Sequence, residues 1–178
     1  MYGIIIIWIA NRGEGIINII LIGMPGCGKT TLGKKLSKIT GYNFIDTDLL
    51  IEKRIGLPIK KIFNEKGEKY FRILERDLLC EIKNYKNHII STGGGFPIYN
   101  DNMEVLNNLG LTVFLKVPIE ELMKRNLTER PLLVEDMEEK LKELYKIRSP
   151  IYNKAKLTVD NYNISLDEVV KSIIDKMK

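Results

Sequence analysis

The sequence predicts an α/β fold in three layers, a central five-stranded parallel sheet between helices, and two observations carry that prediction. From residue 16 onward, short apolar runs alternate with longer segments of helical period, the pattern of parallel strands joined by crossover helices. The first run ends directly in Gly23-Met24-Pro25-Gly26-Cys27-Gly28-Lys29-Thr30. That is G-x-x-x-x-G-K-[ST], a phosphate-binding P-loop, in the strand–loop–helix position its chemistry requires. The fold class is therefore that of the P-loop nucleoside-triphosphate-binding proteins.

Each element has its own signal. The apolar run 16–22 is a buried strand, and Leu32, Leu36 and Ile39 give the following segment, 29–40, one apolar face. A second strand is expected at 43–46, ending in Asp46-Thr47-Asp48, with helices at 49–55 and 59–64. A long helix follows at 65–84, its stripe made by Phe71, Leu74, Leu78 and Ile82. The third strand, 88–91, runs into Gly93-Gly94-Gly95. Then come a helix at 100–109, a strand at 112–117, helices at 119–125 and 137–146, and a strand at 157–159. In the last helix Ser165 and Glu168 form a capping box, and Leu166, Val169, Val170, Ile173, Ile174 and Met177 recur at helical spacing.

Length and composition bound the rest. With 178 residues, 44% apolar and 29% charged, the chain suits one soluble domain with its own core. Two cysteines, Cys27 and Cys80, make neither a disulfide framework nor a metal set, which favours a reducing, cytoplasmic setting. The net charge of +5 is spread over many lysines and not gathered in one run, so a solvated surface is expected before a nucleic-acid patch. Residues 3–10 are apolar but too short to span a bilayer, and they lack a basic region or cleavage site of a signal peptide. Residues 1–15 read as an N-terminal extension of unknown role, and 16–178 as a single domain.

Five constellations carry chemistry. In the P-loop, Gly26, Cys27, Gly28, Lys29, Thr30 and Thr31 are the candidate nucleoside-triphosphate-binding residues. Inward backbone N–H groups cradle phosphate, Lys29 reaches the β- and γ-phosphates, and the Thr30 hydroxyl faces Mg²⁺. Asp46 and Asp48, two apart at a strand end, can divide labour between a metal and an attacking hydroxyl; alternatively they cap the next helix. Arg72 and Glu75, three apart on a helix, suit a bidentate clamp on a carboxylate, with a surface ion pair as the competing reading. The triple glycine either lets a ligand approach backbone N–H groups or is a plain flexible loop; Arg130 and Arg148, each beside a proline-pinned turn, Glu129-Arg130-Pro131 and Ile147-Arg148-Ser149-Pro150-Ile151-Tyr152, either reach an anionic group or simply meet solvent.

Taken in order, Asp-Thr-Asp, Phe-Arg-x-x-Glu, Ser-Thr-Gly-Gly-Gly, Arg-Pro-Leu-Leu and Arg-x-Pro-x-Tyr, together with the P-loop, resemble the shikimate kinases from Ile16 to the C-terminus. The resemblance implies ATP-dependent phosphorylation of the 3-hydroxyl of shikimate, on the route to chorismate and the aromatic amino acids, with Mg²⁺ as cofactor. It implies catalytic roles for Asp48 as base, Lys29 and Arg130. Arg72, Arg148 and Gly94 would hold the substrate, with Asp48 on its hydroxyls and Glu75 orienting Arg72. Thr30 and Asp46, the latter through water, would serve the metal; Ser91 stands where many P-loop enzymes carry a metal-binding Asp. Arg130 would close a small mobile lid, about 124–136, over the γ-phosphate, and Arg125 would pack on adenine. The loop 160–164 lacks the Arg and Pro often found at the adenine site in this family. A cytoplasmic monomer acting on small molecules, without nucleic acid or membrane, is the expectation. A gluconate-kinase-like enzyme of the same fold and a non-catalytic nucleotide-binding protein are the alternatives.

Overall fold

The computed structural model describes residues 18–124 and 137–177. Five parallel strands, β1 (Asn18–Ile22), β2 (Asn43–Asp46), β3 (His88–Ser91), β4 (Gly110–Lys116) and β5 (Leu157–Asp160), lie in the order β2-β3-β1-β4-β5. The central strand is apolar throughout after Asn18 because both its faces are covered; Ile19, Ile20, Leu21 and Ile22 are all fully buried. Asn18 itself pins the base of the sheet. Its amide donates to the carbonyls of Tyr85 and Leu109, and its oxygen accepts from the His88 N–H at the start of β3.

Helices α1 (Lys29–Thr40), α2 (Thr47–Ile55), α3 (Ile59–Ile82), α4 (Asn102–Leu109), α5 (Ile119–Lys124), α6 (Met137–Tyr152) and α7 (Leu166–Met177) flank the sheet as a three-layer sandwich. The expected capping box at α7 is present: the Glu168 carboxylate accepts from the Ser165 N–H, and the Ser165 hydroxyl accepts from the Glu168 N–H. No helix among the described residues is long and apolar enough to cross a membrane.

Apart from shifts of one or two residues at element ends, two joins differ from the sequence reading. The expected helices 59–64 and 65–84 are one run, α3, kinked at Gly67, whose φ of 79° and ψ of 166° are accessible to glycine alone. The expected helix 137–146 and proline-pinned turn 147–152 are also one helix, α6, which continues through Pro150. Near a C-terminus the proline removes only one intrahelical hydrogen bond, and burial of Arg148 and Tyr152 holds the last turn in place. A short 3₁₀ turn, Phe96–Ile98, follows the triple glycine and was not foreseen. The extension 1–15 and residues 125–136 of the expected lid lie outside the described residues.

Candidate active site

All the chemistry-bearing segments leave the sheet at the carboxyl ends of its strands, where open α/β sheets bind their ligands. The P-loop leaves β1 and enters α1 at Gly28, which has no side chain to cap the helix, so the first-turn N–H groups are presented to the loop. Lys29 is buried, its Nζ donating to the carbonyls of Gly23 and Met24, each at 2.9 Å. Cys27 is also fully buried, and its carbonyl accepts from the Asn161 side chain at 2.7 Å. The segment following β5 thus braces the P-loop.

Asp46, the last residue of β2, takes the helix-capping role that was the alternative reading of its position, and it also bonds the P-loop. Its Oδ1 accepts from the backbone N–H groups of Asp48 and Leu49, capping α2. Its Oδ2 accepts from the Thr30 hydroxyl at 2.7 Å, joining β2 to the P-loop. One residue on, the buried Thr47 hydroxyl accepts from the Gly93 N–H at 2.9 Å and so ties α2 to the triple glycine.

On α3, Arg72 and Glu75 form a buried pair rather than a surface one. Arg72 Nη1 lies 2.6 Å from Glu75 Oε2, and Nη2 lies 2.7 Å from Glu68 Oε1. Burial works against the Arg72 charge, but Glu75 and Glu68 outweigh it and raise its pKa. Burial pushes the Glu75 carboxyl up to about 7, against the pull of Arg72, and the like charge of Asp48 adds to the rise. Its second oxygen, Oε1, is buried without a hydrogen-bond partner among the described residues.

The triple glycine is the floor on which these side chains meet. A Cβ at Gly93 would fall 2.3 Å from Asp48 Oδ1, and one at Gly95 would fall 2.5 Å from Arg72 Nη1. At Gly94 it would lie 2.9 Å from Arg148 Nη1 and 3.1 Å from Pro25 Cδ of the P-loop. Each glycine therefore makes room for a different side chain, brought from α2, α6 and α3. Arg148 is buried on helix α6, not in the loop expected for it.

One cavity of about 330 Å³ runs along this floor. It is lined by Gly26, Gly28, Lys29, Thr30, Thr31 and Asp46 on the P-loop side, and by Asp48, Arg72, Glu75, Gly94 and Arg148 on the other. Cys27 faces the protein interior instead. Arg125 and Arg130 lie outside the described residues. Ile59 and Phe63 line the cavity although nothing in the sequence singles them out, and Phe71, expected in the buried stripe, is also on the wall. Isolated apolar residues in amphipathic helices carry no signal that separates a pocket wall from a core contact.

A family model described as shikimate kinase matches residues 25–178. Among curated relatives, the shikimate kinase of Clostridium botulinum (strain Okra, type B1) is 49% identical over 161 residues, covering 87% of this chain and 95% of its own. Among solved structures, the shikimate kinase from Acinetobacter baumannii in complex with shikimate matches with a TM-score of 0.86 at 37% identity, over 92% of this chain and 94% of that one. The shikimate kinase from Aquifex aeolicus matches with a TM-score of 0.80 at 38% identity, over 90% and 96%.

Proposed function

The chain belongs to the shikimate kinase family, and from that premise we propose that it transfers the γ-phosphoryl group of ATP to the 3-hydroxyl of shikimate, giving shikimate 3-phosphate and ADP. The observation that carries this reading is the single cavity in which a P-loop and a pair of arginines with an aspartate share one glycine floor. Two cations suit an acceptor carboxylate, and a carboxylate beside them suits its hydroxyls.

In this reading ATP lies along Gly26–Thr31, and Lys29 exchanges the carbonyls of Gly23 and Met24 for phosphate oxygens. Arg72 and Arg148 hold the acceptor carboxylate, the Gly94 backbone contacts the acceptor, and Glu75 fixes the orientation of Arg72. Asp48 accepts the hydroxyl proton as that oxygen bonds to the γ-phosphorus and the bond to the β-phosphate oxygen breaks. Such a transfer needs positioning and charge stabilisation more than covalent chemistry from the protein. Arg130 and Arg125 are assigned to the γ-phosphate and the adenine on the family resemblance alone.

Thr30 Oγ1 and Asp46 Oδ2, 2.7 Å apart at the mouth of the P-loop, are hard oxygen donors. No cluster of three or more His, Cys, Asp or Glu that could hold a metal occurs among the described residues. A site of few protein oxygens fits Mg²⁺, which keeps several waters and shares phosphate ligands; Thr30 would ligate it directly, and Asp46 would act through water, as the family resemblance implies. When bound, the ion neutralises charge on the phosphates.

The test is ADP release from MgATP, followed with and without shikimate, with gluconate, quinate and nucleoside monophosphates as parallel acceptors. Turnover should require shikimate. Turnover with gluconate or a nucleotide in its place would overturn the assignment.

A further inference from the structure

Tyr152 has no role in the scheme above, yet it is the largest fully buried side chain among the described residues. Its ring packs on Phe114 at 5.2 Å between centroids, and Phe114 pairs with Ile22 where β1 enters the P-loop. Its hydroxyl donates to the Gly94 carbonyl at 2.6 Å, a contact spanning 58 residues of chain. Arg148 precedes it by four residues on α6, hence one turn back on the same face. A single helix face therefore carries both the Arg148 guanidinium packed against Gly94 and the hydroxyl that holds the Gly94 peptide.

We propose that Tyr152 is a positioning residue for the acceptor: its hydroxyl locks the Gly94 peptide to α6 and so sets the spacing between the glycine floor and Arg148. The proposal rests on the acceptor reading for its consequence but not for its geometry. A phenylalanine would fill the same space against Phe114 without burying a polar atom, so core packing gives no reason for the hydroxyl. Burial holds the phenol well above its ordinary pKa, so it stays a donor across the working range of pH. Because the Gly94 peptide also lies against Pro25, loosening it acts first on the acceptor side of the cavity and only at its edge on the P-loop.

The experiment compares the full-length chain with Tyr152→Phe. Without ligands, hydrogen–deuterium exchange should accelerate in peptides covering residues 92–96 and 146–150, while β1 and α1 stay protected as in the parent. With MgATP and shikimate, KM for shikimate should rise roughly five- to twentyfold and KM for MgATP by less than about twofold. Unchanged exchange at residues 92–96 would overturn the tether whatever the acceptor proves to be. Equal rises in both KM values would also overturn it, since they indicate a general loosening of the fold. A parent protein that ignores shikimate sinks the functional reading instead, and the exchange comparison then decides the tether by itself.

Discussion

Asp48 sits against Gly93 at the point where α2 begins, and its place follows from its neighbours. Asp46 caps the helix and Thr47 holds the Gly93 amide, so the third residue of the motif is left facing the cavity. Asp48→Asn keeps that shape but removes the proposed base. It should lower kcat by about 10²- to 10⁴-fold while ADP affinity, measured by calorimetry, changes less than about twofold. Turnover within a few-fold of the parent would remove Asp48 from proton transfer. Glu75 offers a second test, in stability. Its pKa is raised from 4.5 to about 7 on folding, so between those pH values the folded chain keeps a proton that the unfolded chain has released. Stability from this group is present below about 4.5 and lost as pH rises through about 7. The stability of the parent relative to Glu75→Gln should therefore fall across that window, on the order of 1 kcal/mol per pH unit, and level off above it. A pH-independent difference in urea titrations would mean that Glu75 is ionised throughout.

Helix α3 joins two functions through its kink. Before Gly67 it contributes Ile59 and Phe63 to the cavity wall, and after it Arg72 and Glu75. No heavy atom lies within 4 Å of a Cβ built at Gly67, so the demand for glycine there is one of backbone conformation rather than space. Gly67→Ala should cost about 1–3 kcal/mol of stability and raise the acceptor KM more than that for MgATP, because the angle between wall and clamp shifts. A neutral effect on both would show that the kink does not set the cavity. The sequence reading sets a helix boundary at 64/65, close to this break, but it does not show that the two segments form one run bent at Gly67. Likewise Pro150 reads from the sequence as pinning a turn beside Arg148. Local residue preferences set that expectation, and the burial of Arg148 and Tyr152 overrode it. The P-loop and Asp46 were legible because their geometry is local: a few consecutive residues determine both backbone and donors. The pairing of Gly93, Gly94 and Gly95 with Asp48, Arg148 and Arg72 was not, because it joins segments from three helices across the whole chain.

Over the whole molecule, strand count was readable from alternation but strand order was not, since β3 inserts between β1 and β2 through contacts no short segment encodes. That insertion places the P-loop next to the triple glycine: Thr92 donates from both its N–H and its hydroxyl to the Leu21 carbonyl, two residues before the loop begins. The P-loop side and the triple-glycine side of the cavity are thus built on adjacent central strands and should not melt apart. We expect a single cooperative unfolding transition for the domain spanning 16–178. Ligand at about a hundredfold over its Kd stabilises a folded state by about 2.7 kcal/mol, which for a chain of this size raises Tm by roughly 5–10 °C. Shikimate and MgADP should each shift that one transition. Arg148→Ala should abolish the shikimate shift and preserve the nucleotide shift, because Arg148 touches the glycine floor from α6 and makes no bond to the P-loop lysine, whose Nζ is held by Gly23 and Met24. Two separable transitions would contradict the shared-strand construction, and loss of both shifts in Arg148→Ala would mean that this arginine supports the nucleotide side as well.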